Sequence, residues 1–341
     1  AVPDALSARE AIDPAIDVEY PGEAAPALHG RPGLARYRRL AAYMRKFDLV
    51  LTYNWGAMDA VGARRLFPRG CPPLIHHEDG FNVDEAEGLN WKRNGFRRLM
   101  LPAAARLVVP SQTLERIARM TWHQPADRLI RIGNGIDTEA YARPPEPGSI
   151  PGLTPNAADL VIGTLAGLRA VKNLPRLVRA VAPLGEHVRL VIVGEGPERD
   201  AIQREAQQLG MGDRVLLPGF LGRPQSYLGH FDIFALSSDS EQFPISLIEA
   251  MAAGLPVAAT DVGDVRTIVS EANRPFVVKP GNEADLSGAL RRLCGDPALR
   301  RTLGESNRAL ARSAYDESSM IRAYAMLYEA EIRRPATLFP R

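Results

Sequence analysis

"DIFALSSDSEQFPISLIEAMAAGLPVAATDVGD", residues 232–264, reads as one strand–helix–strand unit. The apolar run "DIFALSS" (232–238) leads into a polar loop, then the helical "ISLIEAMAAG", then a second apolar run, "PVAAT" (256–260). A helix between two such runs makes them parallel neighbours. Parallel strands are covered on both faces, so they read as near-continuous apolar segments. Outward from this unit the alternation repeats. In the same half of the chain, strands are expected at "LVIGTLA" (160–166), "RLVIVG" (189–194), "RVLLPG" (214–219) and "PFVVKP" (275–280). The other half offers "DLVLTY" (48–53), "PLIHH" (73–77), "RLVVPS" (106–111) and "LIRI" (129–132). Helical patterns such as "NLPRLVRAVAPL" and "ERDAIQREAQQLG" lie between the runs, the order that builds parallel sheets under two helical layers.

The chain of 341 residues is long enough for two such domains. "YARPPEPGSIPGLTPNAADL" (141–160) holds five prolines and two glycines and reads as the linker between them. The expected domains are residues 1–145 and 146–317, with 318–341 a C-terminal helix that packs back on the first domain. A doubly wound domain normally opens on a strand and a glycine-rich turn. Here the first convincing strand starts near Asp48, and residues 1–30 contain only Gly22 and Gly30. Either this domain is abbreviated or its leading strand–helix unit is absent from the sequence, and the second is the expectation.

A net charge of +2 gives no reason to expect nucleic acid as a partner. Cys71 and Cys294 stand far apart and in no metal or redox spacing, which fits a reducing compartment. No run approaches the roughly 18–20 apolar residues of a membrane helix. The opening "AVPDALSAREAIDPAIDVEY" lacks the basic and apolar blocks of a signal peptide. These features point to a cytoplasmic protein, free or held at the inner face of the membrane.

Glu241 and Glu249 flank the start of the helix at 245. Two readings of Glu249 compete. Ser246-Leu-Ile-Glu249 fits a capping box, with Ser246 capping the helix and Glu249 reaching back to it. Alternatively, the site is a ligand cleft. It lies at the C-terminal end of a parallel strand, and the helix N-terminus at Ile245, Ser246 and Leu247 offers amides to an anion. Carboxylates beside it suit sugar hydroxyls, so a ligand carrying phosphate and hydroxyls, such as a sugar nucleotide, would use the whole arrangement.

The segment 238–264 resembles the E-x7-E region of the family 4 retaining glycosyltransferases, whose GT-B fold has two facing Rossmann-like domains. The likeness extends over most of residues 48–330 and includes "GLRAVKN" (167–173), "VIVGEGPER" (191–199), "LPGFLG" (217–222) and "RIGNGIDTEAY" (131–141). The resemblance implies that Glu241 holds hydroxyls of the donor sugar and Glu249 those of the ribose. Lys172 would neutralise the diphosphate with the Ile245–Ser246 amides, and Gly219 and Phe220 would pass close to the base. The family carries G-R-L before the lysine. Here Gly167 stands in the arginine's place and the arginine moves to Arg169. The donor expected is a UDP-, GDP- or ADP-sugar, the acceptor a sugar or a lipid-linked sugar, with no cofactor and no metal.

"PLIHHEDGFN" (73–82) sets His76, His77, Glu78 and Asp79 in a row. Adjacent strand residues point to opposite faces, which makes them poor joint metal ligands. The family often has a histidine here; Asp79 takes its register and His77 is the nearby substitute, though Asp79-Gly80 also reads as a plain turn. Asn54 and Trp55, after the preceding strand, are candidate acceptor contacts. Basic residues of "RPGLARYRRLAAYMRK" (31–46) and "WKRNGFRRLM" (91–100) include Arg36, Arg38, Arg39, Arg97 and Arg98. They suit either an anionic membrane surface or a solvated helix face.

The expected activity is sugar transfer with retention, in bacterial polysaccharide, lipopolysaccharide or glycolipid synthesis. Three rivals stand beside it. Asp239-Ser-Glu241 imitates the D-x-D pair of metal-dependent transferases. Nucleotide-sugar epimerases share the two-domain architecture, and the chain could also be a nucleotide-sugar-binding protein without catalysis.

Overall fold

The computed structural model describes residues 12–28, 33–80, 90–154 and 158–333. Gly30, Arg31 and most of the N-terminal stretch read for a signal peptide lie outside the described residues. Contacts divide the chain into two units. One comprises Ala1–Val109, Leu114–Arg131 and Met326–Arg341; the other comprises Pro110–Thr113 and Ile132–Ala325.

The first unit is built on a parallel sheet of β1 (Val50–Tyr53), β2 (Leu74–His77), β3 (Arg106–Val109) and β4 (Leu129–Arg131), in the order β1-β2-β3-β4. Between these strands run α1 (Leu34–Met44, before β1), α2 (Met58–Leu66), α3 (Trp91–Met100) and α4 (Gln112–Met120). Apolar residues three and four apart on α1 (Tyr37, Leu40, Ala41, Met44) meet Met58 and Val61 of α2 in one core. Asn90 caps α3 by accepting the Lys92 and Arg93 amides.

The second unit has a six-stranded parallel sheet in the order β10-β9-β8-β5-β6-β7. Its strands are β5 (Leu160–Leu165), β6 (Val188–Val193), β7 (Val215–Gly219), β8 (Ile233–Leu236), β9 (Val257–Thr260) and β10 (Val277–Val278). All ten expected strands are present. Alternate residues feed opposite cores: Leu190, Ile192, Ile233 and Ala235 join one, Val191, Val193, Phe234 and Leu236 the other. Helices α5 (Leu174–Val181), α6 (Arg199–Gln208) and α9 (Glu283–Gly295) cover the first face. Helices α7 (Ile245–Ala252) and α8 (Val265–Ile268), with Ala311 of α10 (Pro297–Ala314), cover the second. Leu247, Ile248 and Met251 of α7 are fully buried, each contributing about 1.5–3 kcal/mol. Gly163 in β5 is needed for packing, because a Cβ there would collide with the Phe231 ring.

Sheet order places the ligand crevice. From β5 the chain steps to β6 and β7 on one side, and β8 to β10 line up on the other. The reversal opens a crevice outside the C-terminal ends of β5 and β8, where open α/β sheets take ligands.

Residues 141–160 are not a free linker. Contacts place residues 132–145 in the second unit, whereas the sequence reading puts the boundary at 145–146. Among the prolines, Tyr141 and Ile150 are buried in the second core, and the Glu146 amide donates to the Ser226 carbonyl at 2.7 Å. These apolar anchors outweigh the composition that suggests a linker. Helix α11 (Glu317–Ile332) ends in the first unit, where Glu331 pairs with Arg106 at 2.8 Å.

Candidate functional site

The loop after β5 carries Lys172 and the loop after β8 carries Glu241, so the two residues flank the crevice. Hydrogen bonds stitch the loops together. Ser237 Oγ donates to the Lys172 carbonyl (2.9 Å) and the Asn173 carbonyl (3.1 Å), and the Asp239 amide donates to the Val171 carbonyl (2.8 Å). Asn173, in the left-handed region at φ 44°, ends the short turn Ala170–Lys172 and donates from its side chain to Asp239 at 2.9 Å. Lys172 Nζ thereby reaches Glu241 Oε1 at 2.5 Å, and Ser238 Oγ donates to the same oxygen at 2.7 Å. The Lys172 and Glu241 side chains are only 15% and 11% exposed. Asp239 holds Arg176 at 2.5 Å. Both carboxylates of the D-x-E sequence thus have a cation already, which a divalent metal would have to displace.

Arg169 folds back: its Nε lies 3.6 Å from where a Cβ on Gly167 would stand. The Arg169 side chain thus lies against the Gly167 backbone. At the C-terminal ends of β6 and β7, Glu195 Oε1 comes within 2.8 Å of a Cβ built on Gly219, whose φ of +90° favours glycine. Phe220, next in the chain, is 76% exposed.

Helix α7 begins directly after Pro244, which holds the N-cap position and makes no side-chain cap bond. The expected capping box does not form. Ser246 is inside the first turn, and Glu249 is the fifth residue of α7, further into the helix than the sequence suggests. Because Pro244 starts the helix two residues before Ser246, the serine cannot act as its cap. The first amides, at Ile245 and Ser246, are of the kind that lack intrahelical acceptors and bind anions. Glu249 instead accepts a 2.8 Å hydrogen bond from the Tyr141 hydroxyl. Burial raises its pKa, and the Tyr141 bond offsets part of that rise.

In the first unit, Asn54 and Asp79 bond reciprocally. Asn54 Oδ1 accepts from the Asp79 amide at 2.7 Å, and Asn54 Nδ2 donates to Asp79 Oδ2 at 3.3 Å. Asn54 adopts φ 54° and ψ −174°, a sparsely populated conformation found most often at functional sites. Desolvation raises the Asp79 carboxyl pKa, Asn54 pulls it back, and the nearby Glu78 adds to the rise.

His77, the nearby substitute, makes its contacts within the first unit. It is buried and stacked 4.4 Å from the Tyr53 ring. Its Nδ1 lies 3.3 Å from the Thr52 carbonyl and its Nε2 3.1 Å from the Tyr328 hydroxyl. Burial lowers its pKa to about 4, so the ring is neutral at pH 7 with both nitrogens engaged. His76 bonds Thr52 at 2.9 Å and faces Glu78, which pairs with Arg97 at 3.1 Å. Trp55 carries Arg93 and Arg97 over its ring, at 5.0 and 5.2 Å, and serves the packing of α3. The basic residues considered for a membrane surface separate in the same way. Arg36 and Arg97 are buried against Asp59 and Glu78, while Arg38, Arg39 and Arg98 are exposed.

Tyr141 and Ser238 are site residues that sequence patterns do not single out. Ser238 carries a weak signal, as a polar residue at a strand's C-terminal end. Tyr141 lies in apparent linker, 108 residues from Glu249.

Residues 4–140 match the family model described as Glycosyltransferase Family 4, and residues 150–310 match Glycosyl transferases group 1. EpsD of Bacillus subtilis is 30% identical over 310 residues, 87% of this chain and 81% of that protein. The lipopolysaccharide core biosynthesis glycosyltransferase LpsD of Rhizobium meliloti is 29% identical over 194 residues, 57% of this chain. The chain spans about half the length of LpsD, 56%. The crystal structure of Anabaena HepE in complex with UDP shares the fold. Its TM-score is 0.74 at 21% identity, over 87% of this chain and 82% of that one.

Proposed function

The chain belongs to glycosyltransferase family 4, and on that footing we propose that it transfers a sugar from a nucleotide-diphosphate sugar to an acceptor hydroxyl with retention at the anomeric carbon. The setting proposed is bacterial polysaccharide, lipopolysaccharide or glycolipid synthesis. The observation that carries this reading is the Lys172–Glu241 pair at the crevice between β5 and β8, one loop before the open amides of α7.

As the bond from the anomeric carbon to the diphosphate breaks, negative charge grows on the departing oxygen. Lys172, Arg169 and the Ile245 and Ser246 amides are fixed donors for that charge. The acceptor oxygen forms its bond on the same face, and its proton passes to the leaving diphosphate. Glu241 would exchange its bond with Lys172 for bonds from donor-sugar hydroxyls, Glu249 would accept from the ribose, and Phe220 would lie against the base. Asp79, aimed by Asn54, is the polar group we assign to the acceptor side. We propose further that no metal is required, because Asp239 and Glu241 are each neutralised by a cation of the protein.

The test is thermal stabilisation and turnover with a panel of UDP-, GDP- and ADP-sugars, with UDP first because HepE was crystallised with it. One donor should stabilise the protein and yield an α- or β-linked product of unchanged configuration, in EDTA as without it. Inverted product would refute the retaining mechanism. Donor consumption with no acceptor present would favour the epimerase reading, and stabilisation without turnover a binding protein.

A further inference from the structure

Glu249 occupies unusual ground for a carboxylate. Its neighbours on α7, Leu247, Ile248, Ala250 and Met251, are fully buried, and Tyr141 and Tyr227 belong to the same apolar cluster. Among the described residues the Tyr141 hydroxyl is the one side-chain donor bonded to it, at 2.8 Å, and no lysine or arginine is paired with it. A desolvated carboxylate without a cation is unstable as an anion unless hydrogen bonds replace the lost water. Burial accordingly raises the Glu249 pKa and the Tyr141 bond lowers it.

The two tyrosines beside Glu249 are themselves neutral. Desolvation, then Glu249, pushes the Tyr141 hydroxyl far above its usual pKa, with Tyr227 and Asp137 adding to the effect, so it remains a donor at any working pH. Tyr227 is raised by the same two causes, and its hydroxyl reaches the Leu221 carbonyl at 3.4 Å. Tyr141 is also held in place. Asp137 Oδ1 accepts the Glu139 and Ala140 amides, both at 3.1 Å, closing the turn Ala140–Ala142 that presents the ring. These bonds fix the backbone from which the ring projects.

We propose that Tyr141 is a positioning residue for nucleotide recognition: by bonding Glu249 Oε1 it fixes the carboxylate and leaves Oε2 to accept from a ribose hydroxyl. This rests on the ribose-binding reading of Glu249. A phenylalanine would keep the packing of the ring and lose only the hydrogen bond.

The experiment is isothermal titration of wild type, Tyr141→Phe and Glu249→Gln with UDP, GDP and ADP, repeated with the 2′,3′-dideoxy form of the diphosphate that binds, across the acid side of neutrality. Thermal unfolding checks that each variant is folded. Tyr141→Phe should weaken the ribonucleotide about tenfold and leave the dideoxy form unchanged, the size expected for a hydrogen bond to a charged group. It should also move the acid loss of binding to higher pH. Without the bond, the Glu249 pKa rises and the carboxylate protonates sooner on acidification.

Equal weakening of both nucleotides, with the acid limb unmoved, would show a merely structural tyrosine and overturn the proposal. Tyr141→Phe binding like wild type while Glu249→Gln does not would overturn it too, leaving the ribose reading intact. If Glu249→Gln binds like wild type, or the wild type binds no diphosphate, the ribose reading fails and the proposal falls with it.

Discussion

Replacing Glu241 by glutamine should make the empty protein less stable and its grip on a bare nucleoside diphosphate tighter. Lys172 is neutralised by Glu241 at 2.5 Å, with the two side chains 15% and 11% exposed. Breaking a fully buried pair by removing one partner costs about 3–5 kcal/mol. The residual exposure and the Ser238 hydroxyl reduce this to roughly 2–3 kcal/mol, which lowers the melting temperature by roughly 5–10 °C. A diphosphate entering wild type must compete with Glu241 for the ammonium. In Glu241→Gln the competitor has no charge, so part of the lost stability returns as affinity. The assay is differential scanning calorimetry of both proteins, with and without the diphosphate, together with titration calorimetry. Full nucleotide-sugar turnover should fall sharply, since the proposed donor-sugar contact is gone. An unchanged melting temperature combined with weaker diphosphate binding would refute the reasoning, because Glu241 could not then be the internal counterion of Lys172.

Gly163→Ala should destabilise the second unit by about 1–3 kcal/mol, read as a lower urea midpoint, because its methyl would collide with the buried Phe231 ring. An unchanged midpoint would contradict the packing of β5. The first unit should lose stability as the pH falls from about 6.5 towards 4. His77 has its folded pKa lowered to about 4 from 6.5, so the unfolded chain takes up the proton first across that window. The loss amounts to roughly 3 kcal/mol once both states are protonated, and His77→Gln should flatten the profile. Arg97→Ala should unfold or severely destabilise the protein, by about 3–5 kcal/mol, because it strands the buried Glu78. Reversing the charge of the exposed Arg38, Arg39 and Arg98 should leave the melting curve intact and abolish any co-sedimentation with anionic vesicles. Vesicle binding that survives the triple reversal would place the contact elsewhere.

Much of the fold is legible in the sequence because parallel strands advertise themselves. Runs such as "LVIVG" at 190–194 are apolar at every position, since both faces are buried, and each strand falls where such a run lies. Lys172 and Glu241 are readable from their loops. What is not readable is which partner a polar group chooses. Ser246 and Glu249 have capping-box spacing, yet Pro244 starts the helix early and Tyr141, far away in the chain, takes the carboxylate. His77 and Asp79 stand two apart, and only three-dimensional packing buries one between Tyr53 and Tyr328 while leaving the other exposed. The basic stretches behave alike: composition counts Arg36 and Arg97 with their neighbours, but helix periodicity turns those two inward. The proline-rich stretch misleads for a different reason. Its prolines mark irregular backbone, which Tyr141 and Ile150 nevertheless pin to the core.

The proposed chemistry requires a phosphate resting at the start of α7 beneath Lys172. Amide NMR of the protein titrated with a nucleoside diphosphate examines that contact directly. The Ile245 and Ser246 amide protons should move downfield in step with saturation, and Lys172→Ala should suppress the movement. Saturable binding that leaves both amides unmoved, with the changes clustered on other loops, would contradict the proposed site.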